Sequence, residues 1–303
     1  MRTRAQIRLL DDGRRLHLHD GPIDLIIEAF GETHEINAAY RAATKRFVHV
    51  LDELCVELTF LRQAMQVGAR VPSGVIARRM AAAIAPYCEQ TFVTPMAAVA
   101  GAVAEEILGA MTAAAMLSRA YVNNGGDIAL HLAPGESFVV GMVERPDCPS
   151  LFATAMLDSA QPVRGIATSG CHGRSFSLGI ADAVTVLADR AAMADAAATI
   201  IANAVDLPGH PNVVRMPARA LAPDSDLEDR LVTQHVGELS SDEIATALDR
   251  GAAVAHALVA TGLIRSAALH LRGETSIVGL EPFSIVSRQG TLELGWSSAS
   301  ALH

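Results

Sequence analysis

A chain of 303 residues, half of them apolar and only 19% charged, can bury a substantial core or hold two domains. Its 24 basic residues against 33 acidic ones leave a formal charge of −9, and no long basic cluster offers a surface to nucleic acid or an anionic membrane. Aromatics are 4% of the chain, so the core must be built from Ala, Val, Ile and Leu. Cys55, Cys88, Cys148 and Cys171 lack C-x-x-C spacing, which argues against a zinc site or a disulfide scaffold and suits a reducing cytoplasm. The first residues, MRTRAQIRLLDDGRR, contain no apolar signal core. The longest apolar stretch, Met96 to Met116, is interrupted by Glu105-Glu106 and reads as too weak for a membrane span. The expectation is a soluble, cytoplasmic protein.

Ala5 to Leu10 and Arg15 to His19 read as a hairpin turned at Asp11-Asp12-Gly13, followed by a third strand from Ile23 to Phe30. His17 and His19 fall on one face of their strand, where exposure explains them better than chelation. Apolar residues at three-and-four spacing predict one long helix from Asn37 to Val67, then a short one from Val75 to Tyr87. Thr94-Pro95 opens a third helix, Met96 to Ala120, whose first half holds almost nothing larger than Val. Such small residues suit close packing, and they also suit a homodimer. Asn124-Gly125-Gly126 is a strong turn signal, and Asp127 opens a strand to Leu132. An Asp beside two glycines serves either as a turn-former or as a carboxylate that a ligand or metal can approach.

Further strands are expected at Gly135 to Val143 and Leu151 to Leu157. The Pro-rich, acidic run Asp206 to Asp229 reads as a surface excursion or lid, taken broadly as residues 206–240. Ser240 to Glu243 is a capping box ahead of a helix to about Val259. Strands follow at Ile264 to Leu271, Thr275 to Leu280, Ser284 to Val286 and Leu292 to Leu294.

Most of the chemistry-bearing residues sit between Gly165 and Val205. A strand from Val163 to Thr168 ends at Ser169-Gly170, and a glycine-rich turn carries Cys171, His172 and Arg174. A turn of this kind can offer backbone N–H groups and a cation to an anionic ligand. Ala181 to Ala188 reads as a buried strand and Ala191 to Ala204 as a helix. On that helix Asp195 and Thr199 are four residues apart and share a face, which could form half a site for a hard divalent cation. The commoner use of an Asp near a helix start is to complement the macrodipole.

Three segments then stop looking generic: TPMAAVAGAVAEEI (Thr94 to Ile107), VNNGGDI (Val122 to Ile128), and IATSGCHGRSFSLGIADAVTV followed by MADAAATIIANAV. In this order they resemble an uncharacterised bacterial and archaeal family grouped with the ApbE-like flavin transferases. The resemblance implies an α+β protein with the ApbE-like fold, a single domain of two related sheet-plus-helix halves, approximately 1–120 and 121–303. It also implies binding of FAD or FMN with Mg²⁺. By that resemblance Asn124, Gly125, Gly126, Asp127, Thr168, Ser169, Gly170 and Arg174 contact the ligand, and Asp195 and Thr199 hold the metal. His172, Arg174 and Asp127 become candidates for catalysis.

The flavin transferases that this chain resembles cleave the FAD pyrophosphate and attach FMN to a Thr or Ser of a target protein. They carry H-x-x-D-P-x-T-G where this chain has Ser177-Leu178-Gly179-Ile180, and Ala-Lys-Gly where it has Val99-Ala100-Gly101. Three functions therefore stand: a metal-dependent transferase or hydrolase acting on a flavin nucleotide; an enzyme acting on a small carboxylate or heterocycle without flavin; and a non-catalytic flavin- or metabolite-binding or assembly protein.

Overall fold

The computed structural model describes residues 4–143, 151–173, 175–279, 283–285 and 301–302. The chain opens with strands β1 (Gln6–Leu9), β2 (Leu16–Asp20) and β3 (Ile23–Phe30). Helices α1 (Thr33–Phe47), α2 (Val50–Val56), α3 (Leu58–Leu61) and α4 (Val75–Ile84) follow. A 3₁₀ turn, Pro95–Ala98, leads into α5 (Val99–Ala114). Next come β4 (Arg119–Asn124), β5 (Asp127–Leu132), β6 (Ser137–Val143), β7 (Leu151–Asp158), β8 (Gly165–Ser169), β9 (Ala183–Ala188) and α6 (Ala191–Ala204). The chain continues with β10 (Val213–Pro217), α7 (Ala218–Leu221), β11 (Leu231–Val236), α8 (Ser241–Ala260), β12 (Ser266–Leu271), β13 (Glu274–Gly279), β14 (Phe283–Ile285) and β15 (Ala301–Leu302). The class is α+β with mainly antiparallel sheets, as the sequence predicts.

Two compact units divide the chain. The first takes Met1–Pro134, Val163–Ala167 and Leu187–Ala196, and the second takes Gly135–Pro162, Thr168–Val186 and Ala197–His303.

In the first unit the strands run in the order β1-β2-β3-β4-β5-β8, each antiparallel to its neighbour. Their period-two patterning sets the register. In β2, Leu16, Leu18 and Asp20 are buried while His17 and His19 face outward, where His17 Nε2 lies 2.6 Å from Asp24 Oδ1. Helix α5 packs on β4 and β5 and against α1 and α4, burying Gly101, Ala102, Val103, Ala104, Ile107, Leu108 and Met111. The small residues expected to favour a homodimer therefore serve the unit's own core. Pro95–Ala114 is long and apolar enough to cross a membrane by length and composition, and its buried stripe is also what a core helix has.

Two helix predictions need correction. The pattern from Asn37 to Val67 is three helices, because the chain turns at Val48–His49 to bury both Phe47 and Val50, and breaks again at Glu57. Buried Glu57 turns away to accept hydrogen bonds from Ser73 Oγ (2.9 Å) and the Gly74 N–H (2.6 Å) at the start of α4. The third helix stops at Ala114, not Ala120. Ala115 is extended, Ser118 N–H bonds Phe30 O, and the next residues pair with β3 as β4, so sheet pairing overrides a helix-compatible sequence.

In the second unit β9, β12 and β13 are neighbours, and every residue of β9 and β12 is buried, which explains their near-continuous apolar sequences. Helix α8 covers β12 and β13, while β14-β7-β6-β15 form a second sheet. The segment expected to be a surface excursion or lid contains an antiparallel pair, β10 with β11. His210 Nε2 ties it to Glu243 Oε1 at 2.7 Å. The strand expected at Leu292 to Leu294 lies outside the described residues.

The capping box at Ser240 forms as predicted. Ser240 Oγ accepts the Glu243 N–H, and the Glu243 carboxylate accepts the Ser240 N–H at 2.7 Å. That N–H, with the hydrogen bond from the His210 ring and the Ser240 hydroxyl adding to it, holds the Glu243 carboxyl down at about 2. Ser240→Ala is expected to destabilise the protein by about 1 kcal/mol in a denaturant titration. The Glu243 contribution is present above its ordinary value of 4.5 and fades as the pH falls toward 2.

Candidate functional site

The predicted residues divide between the units. Asn124, Gly125, Gly126, Asp127 and Asp195 belong to the first, and Thr168, Ser169, Gly170, His172 and Thr199 to the second. Arg174 lies outside the described residues.

In the first unit, β4 and β5 are joined by the two-residue turn Gly125-Gly126, with φ of +66° and +114°. Two successive positive φ values are what the tightest hairpin turns demand, which accounts for the glycine pair. Asn123 Oδ1 accepts the Gly126 N–H (2.8 Å), and buried Asn124 donates through Nδ2 to Ala100 O (3.1 Å). The turn is thereby fastened to the start of α5, and register sets Asp127 opposite Asn124.

Asp195, on the first half of α6, accepts the Gly101 N–H at 3.0 Å. Burial raises its proton affinity well above the ordinary carboxylate range, and the nearby negative charge of Asp127 adds to this. The N–H groups of Gly101 and Ala100 oppose the shift without cancelling it. Two carboxylates near enough to raise each other's proton affinity are a pair whose repulsion a divalent cation would relieve. Thr199 lies one turn further along α6, on the face of Asp195.

Close packing fixes this arrangement. A Cβ at Gly101 would sit 2.3 Å from Ala191 O, and one at Gly165 would sit 2.1 Å from Arg190 C. Glu105 Oε1 accepts the Ala192 N–H (2.8 Å), satisfying an orphan donor at the start of α6, while its Oε2 pairs with Arg79 Nε at 2.9 Å. Two concave surfaces of this unit, of about 360 and 210 Å³, are lined by other residues and include neither Asp127 nor Asp195.

In the second unit the glycine-rich turn is built tightly. Thr168 Oγ1 lies 2.9 Å from Thr185 Oγ1, Ser169 is half-buried and Gly170 is buried. A Cβ on Gly170 would meet Asp182 O at 2.4 Å, so only glycine lets the turn lie against Ala181-Asp182. Cys171 N–H bonds Ala181 O (2.8 Å), and exposed His172 brings Nε2 to 3.0 Å from Oδ1 of buried Asp182. Oδ2 of Asp182 accepts the backbone N–H of Arg272. Burial, with Asp182 adding to it, pushes the Cys171 thiol up to about 11. Metal-free protein at pH 8 is accordingly expected to react with iodoacetamide at exposed Cys55 well before Cys171, which peptide mapping would read directly.

Sequence reading missed Asp182, Arg272 and the N–H groups of Ala100 and Gly101. Asp182 carried a usable signal, a carboxylate opening an otherwise apolar strand. The Arg272-Gly273-Glu274 hairpin was legible as a turn, but its contact with a residue 90 positions away was not.

The chain matches the model of the family described as AbpE bacteria over residues 7–277. It belongs to that family. It is similar to a UPF0280 protein of Methanopyrus kandleri, 42% identical over 129 residues that cover 42% of this chain and 48% of that protein. A UPF0280 protein of Methanococcoides burtonii is 37% identical over 128 residues, covering 39% and 48%. The chain thus spans about half the length of the curated relatives it matches. Among solved structures it aligns with a mutant of the flavin transferase ApbE from Vibrio cholerae at 14% identity and a TM-score of 0.35, covering 90% of this chain and 96% of that one.

Proposed function

We propose that this protein binds a flavin nucleotide, FAD in the first place, together with a divalent cation such as Mg²⁺ held by Asp127 and Asp195; Thr199 enters as a metal ligand through the family resemblance alone. The two carboxylates near the start of α5 carry this reading, because Asp195 is desolvated on the Gly101 N–H and the charge of Asp127 is near enough to raise its proton affinity further. Family membership and the Asn-Gly-Gly-Asp turn support the choice of ligand. Asn124 and the Gly125-Gly126 turn set the position of Asp127. Thr168, Ser169, Gly170 and Arg174 enter through the family resemblance, as does the single-domain, two-half organisation. A divalent cation bound there would supply charge neutralisation for the pyrophosphate oxygens. The proposal places the protein in a cytoplasm; Cys55, Cys88 and Cys171 are free thiols.

One observation favours binding over flavin transfer. Ser177 to Ile180 replaces the H-x-x-D-P-x-T-G segment, and its polar groups are engaged within the second unit. Ser177 Oγ bonds Gly179, Leu178 N–H bonds Asn203 Oδ1 (2.9 Å), and Ile180 N–H bonds Val205 O (2.8 Å). A Cβ on Gly179 would lie 2.0 Å from Ala202 O, so the segment is close-packed structure. Incubation with FAD and Mg²⁺, followed by chromatography, separates the readings. Flavin retained intact supports binding, and release of FMN and AMP supports pyrophosphate cleavage. Absence of both retention and turnover would remove flavin from the account.

A further inference from the structure

Outside the acidic pair, the described residues hold one other grouping with the donors for a metal ion. In the second unit Cys171 Sγ, a ring nitrogen of His172 and a carboxylate oxygen of Asp182 all lie within 4.8 Å of one another. We propose that Cys171, His172 and Asp182 form a three-ligand site for Zn²⁺ whose fourth position opens to solvent. This inference stands apart from the flavin reading and uses none of the residues assigned to the Mg²⁺ site.

The donor set decides the class of ion. A thiolate, an imidazole and one carboxylate suit a borderline-soft ion such as Zn²⁺, whereas Mg²⁺ and Ca²⁺ favour oxygen alone. The donors already lie within 4.8 Å of one another and would have to close on a common centre. Tetrahedral Zn²⁺ with bonds of about 2.0–2.3 Å sets its ligand atoms roughly 3.3–3.8 Å apart. His172 Nε2 and Asp182 Oδ1, now 3.0 Å apart in a hydrogen bond, would separate slightly to admit the ion. Three protein ligands with one exposed side, here the His172 side, is the arrangement of zinc sites that keep a position for water or substrate.

The surrounding structure holds the ligands from behind. Gly170 lets the turn approach the backbone of Asp182, Cys171 N–H is anchored on Ala181 O, and Asp182 N–H on His270 O at 3.0 Å. Asp182 keeps Oδ2 on the Arg272 N–H, leaving Oδ1 directed at His172. Arg272 adopts a φ of +52°, a left-handed conformation rare for a side-chain-bearing residue. Its guanidinium is also held by Val236 O and Gly237 O. This is the outer-shell support that fixes ligand orientation in metal sites. Binding would release the Cys171 proton, now donated to Ile180 O, to solvent and shift the His172 ring proton from Nε2 to Nδ1, so that the His172–Asp182 hydrogen bond gives way to two coordinate bonds. Zinc is not legible in the sequence, which lacks C-x-x-C spacing; folding brings the Cys-His pair to an Asp eleven residues past Cys171.

Cobalt is the probe. Metal-free full-length protein titrated with Co²⁺ is expected to develop a thiolate-to-cobalt charge-transfer band that saturates at one ion per chain and is displaced by Zn²⁺. Cys171→Ser should abolish the band, and His172→Ala should weaken Co²⁺ binding at least tenfold. Asp195→Asn should leave the band intact, which separates this site from the acidic pair. No band in the wild type, or a band that survives Cys171→Ser, would overturn the proposal. If Cys171→Ser fails to fold by circular dichroism, the exposed His172→Ala variant decides, and unchanged affinity there would also overturn it.

Discussion

Metal-free Asp195→Asn protein is expected to be more stable than the wild type at neutral pH, yet to gain much less from added Mg²⁺. In the wild type, Asp195 binds its proton more tightly when folded than when unfolded, because it is desolvated and faces Asp127. A carboxyl whose folded affinity is raised costs nothing at pH values below its unfolded pKa, where both states are protonated. Its cost grows as the pH rises from the unfolded value, about 3.9, through the folded one, and then levels off. Asparagine keeps an oxygen for the Gly101 N–H and never ionises, so the stability gap should widen with pH in this sense. Mg²⁺ at about 100 times its dissociation constant should stabilise the wild type by about 2.7 kcal/mol, a rise in Tm of roughly 5–10 °C. Differential scanning calorimetry of both proteins from pH 4 to 8, with and without Mg²⁺, measures both effects. A gap of the opposite sign, or an equal Mg²⁺ response in the variant, would contradict the account.

The second large effect is steric. Gly101→Ala places a methyl group 2.3 Å from Ala191 O and 2.5 Å from Ala191 C, where backbone meets backbone and no side chain can move aside. Relief requires α5 and the start of α6 to separate, which also draws Asp195 from the Gly101 N–H. The expected cost is about 3 kcal/mol or more, a fall in Tm of roughly 6–12 °C, with any Mg²⁺ response reduced. Gly109, on the same helix, has open space at its Cβ position, so Gly109→Ala should instead stabilise by up to about 1 kcal/mol. The opposite signs at two glycines of one helix test packing against propensity. Equal small effects at both positions would mean that α5 and α6 do not approach as described.

Periodicity made much of the fold legible. The hairpin at Gly13, the strand Ile23–Phe30, the helix Ala191–Ala204 and the capping box at Ser240 all stand where sequence alone placed them. Each is specified by local chemistry: a turn glycine, alternation, an Ala-rich helix or a cap. The failures occurred where distant partners decided. Ala115 to Ala120 reads as a helix continuation until β3 is there to pair with Arg119 and Ala120, and the long first helix breaks to place Glu57 on the start of α4. The site divides in the same way. Asn124 to Asp127 and Asp195 could be nominated from motifs, since turn glycines and helix spacing are local. The nearness of Asp127 to Asp195 was not visible, and neither was the part played by Asp182 and Arg272, because both depend on contacts across 60 residues or more.

The most direct test of the acidic pair is isothermal titration of metal-free protein with Mg²⁺, comparing the wild type with Asp127→Asn and Asp195→Asn. The predicted result is one ion per chain in the wild type and binding weakened at least tenfold in each folded variant. Wild-type protein that takes up no Mg²⁺, or variants that bind it as tightly as the wild type, would contradict the claim that these two carboxylates hold a cation.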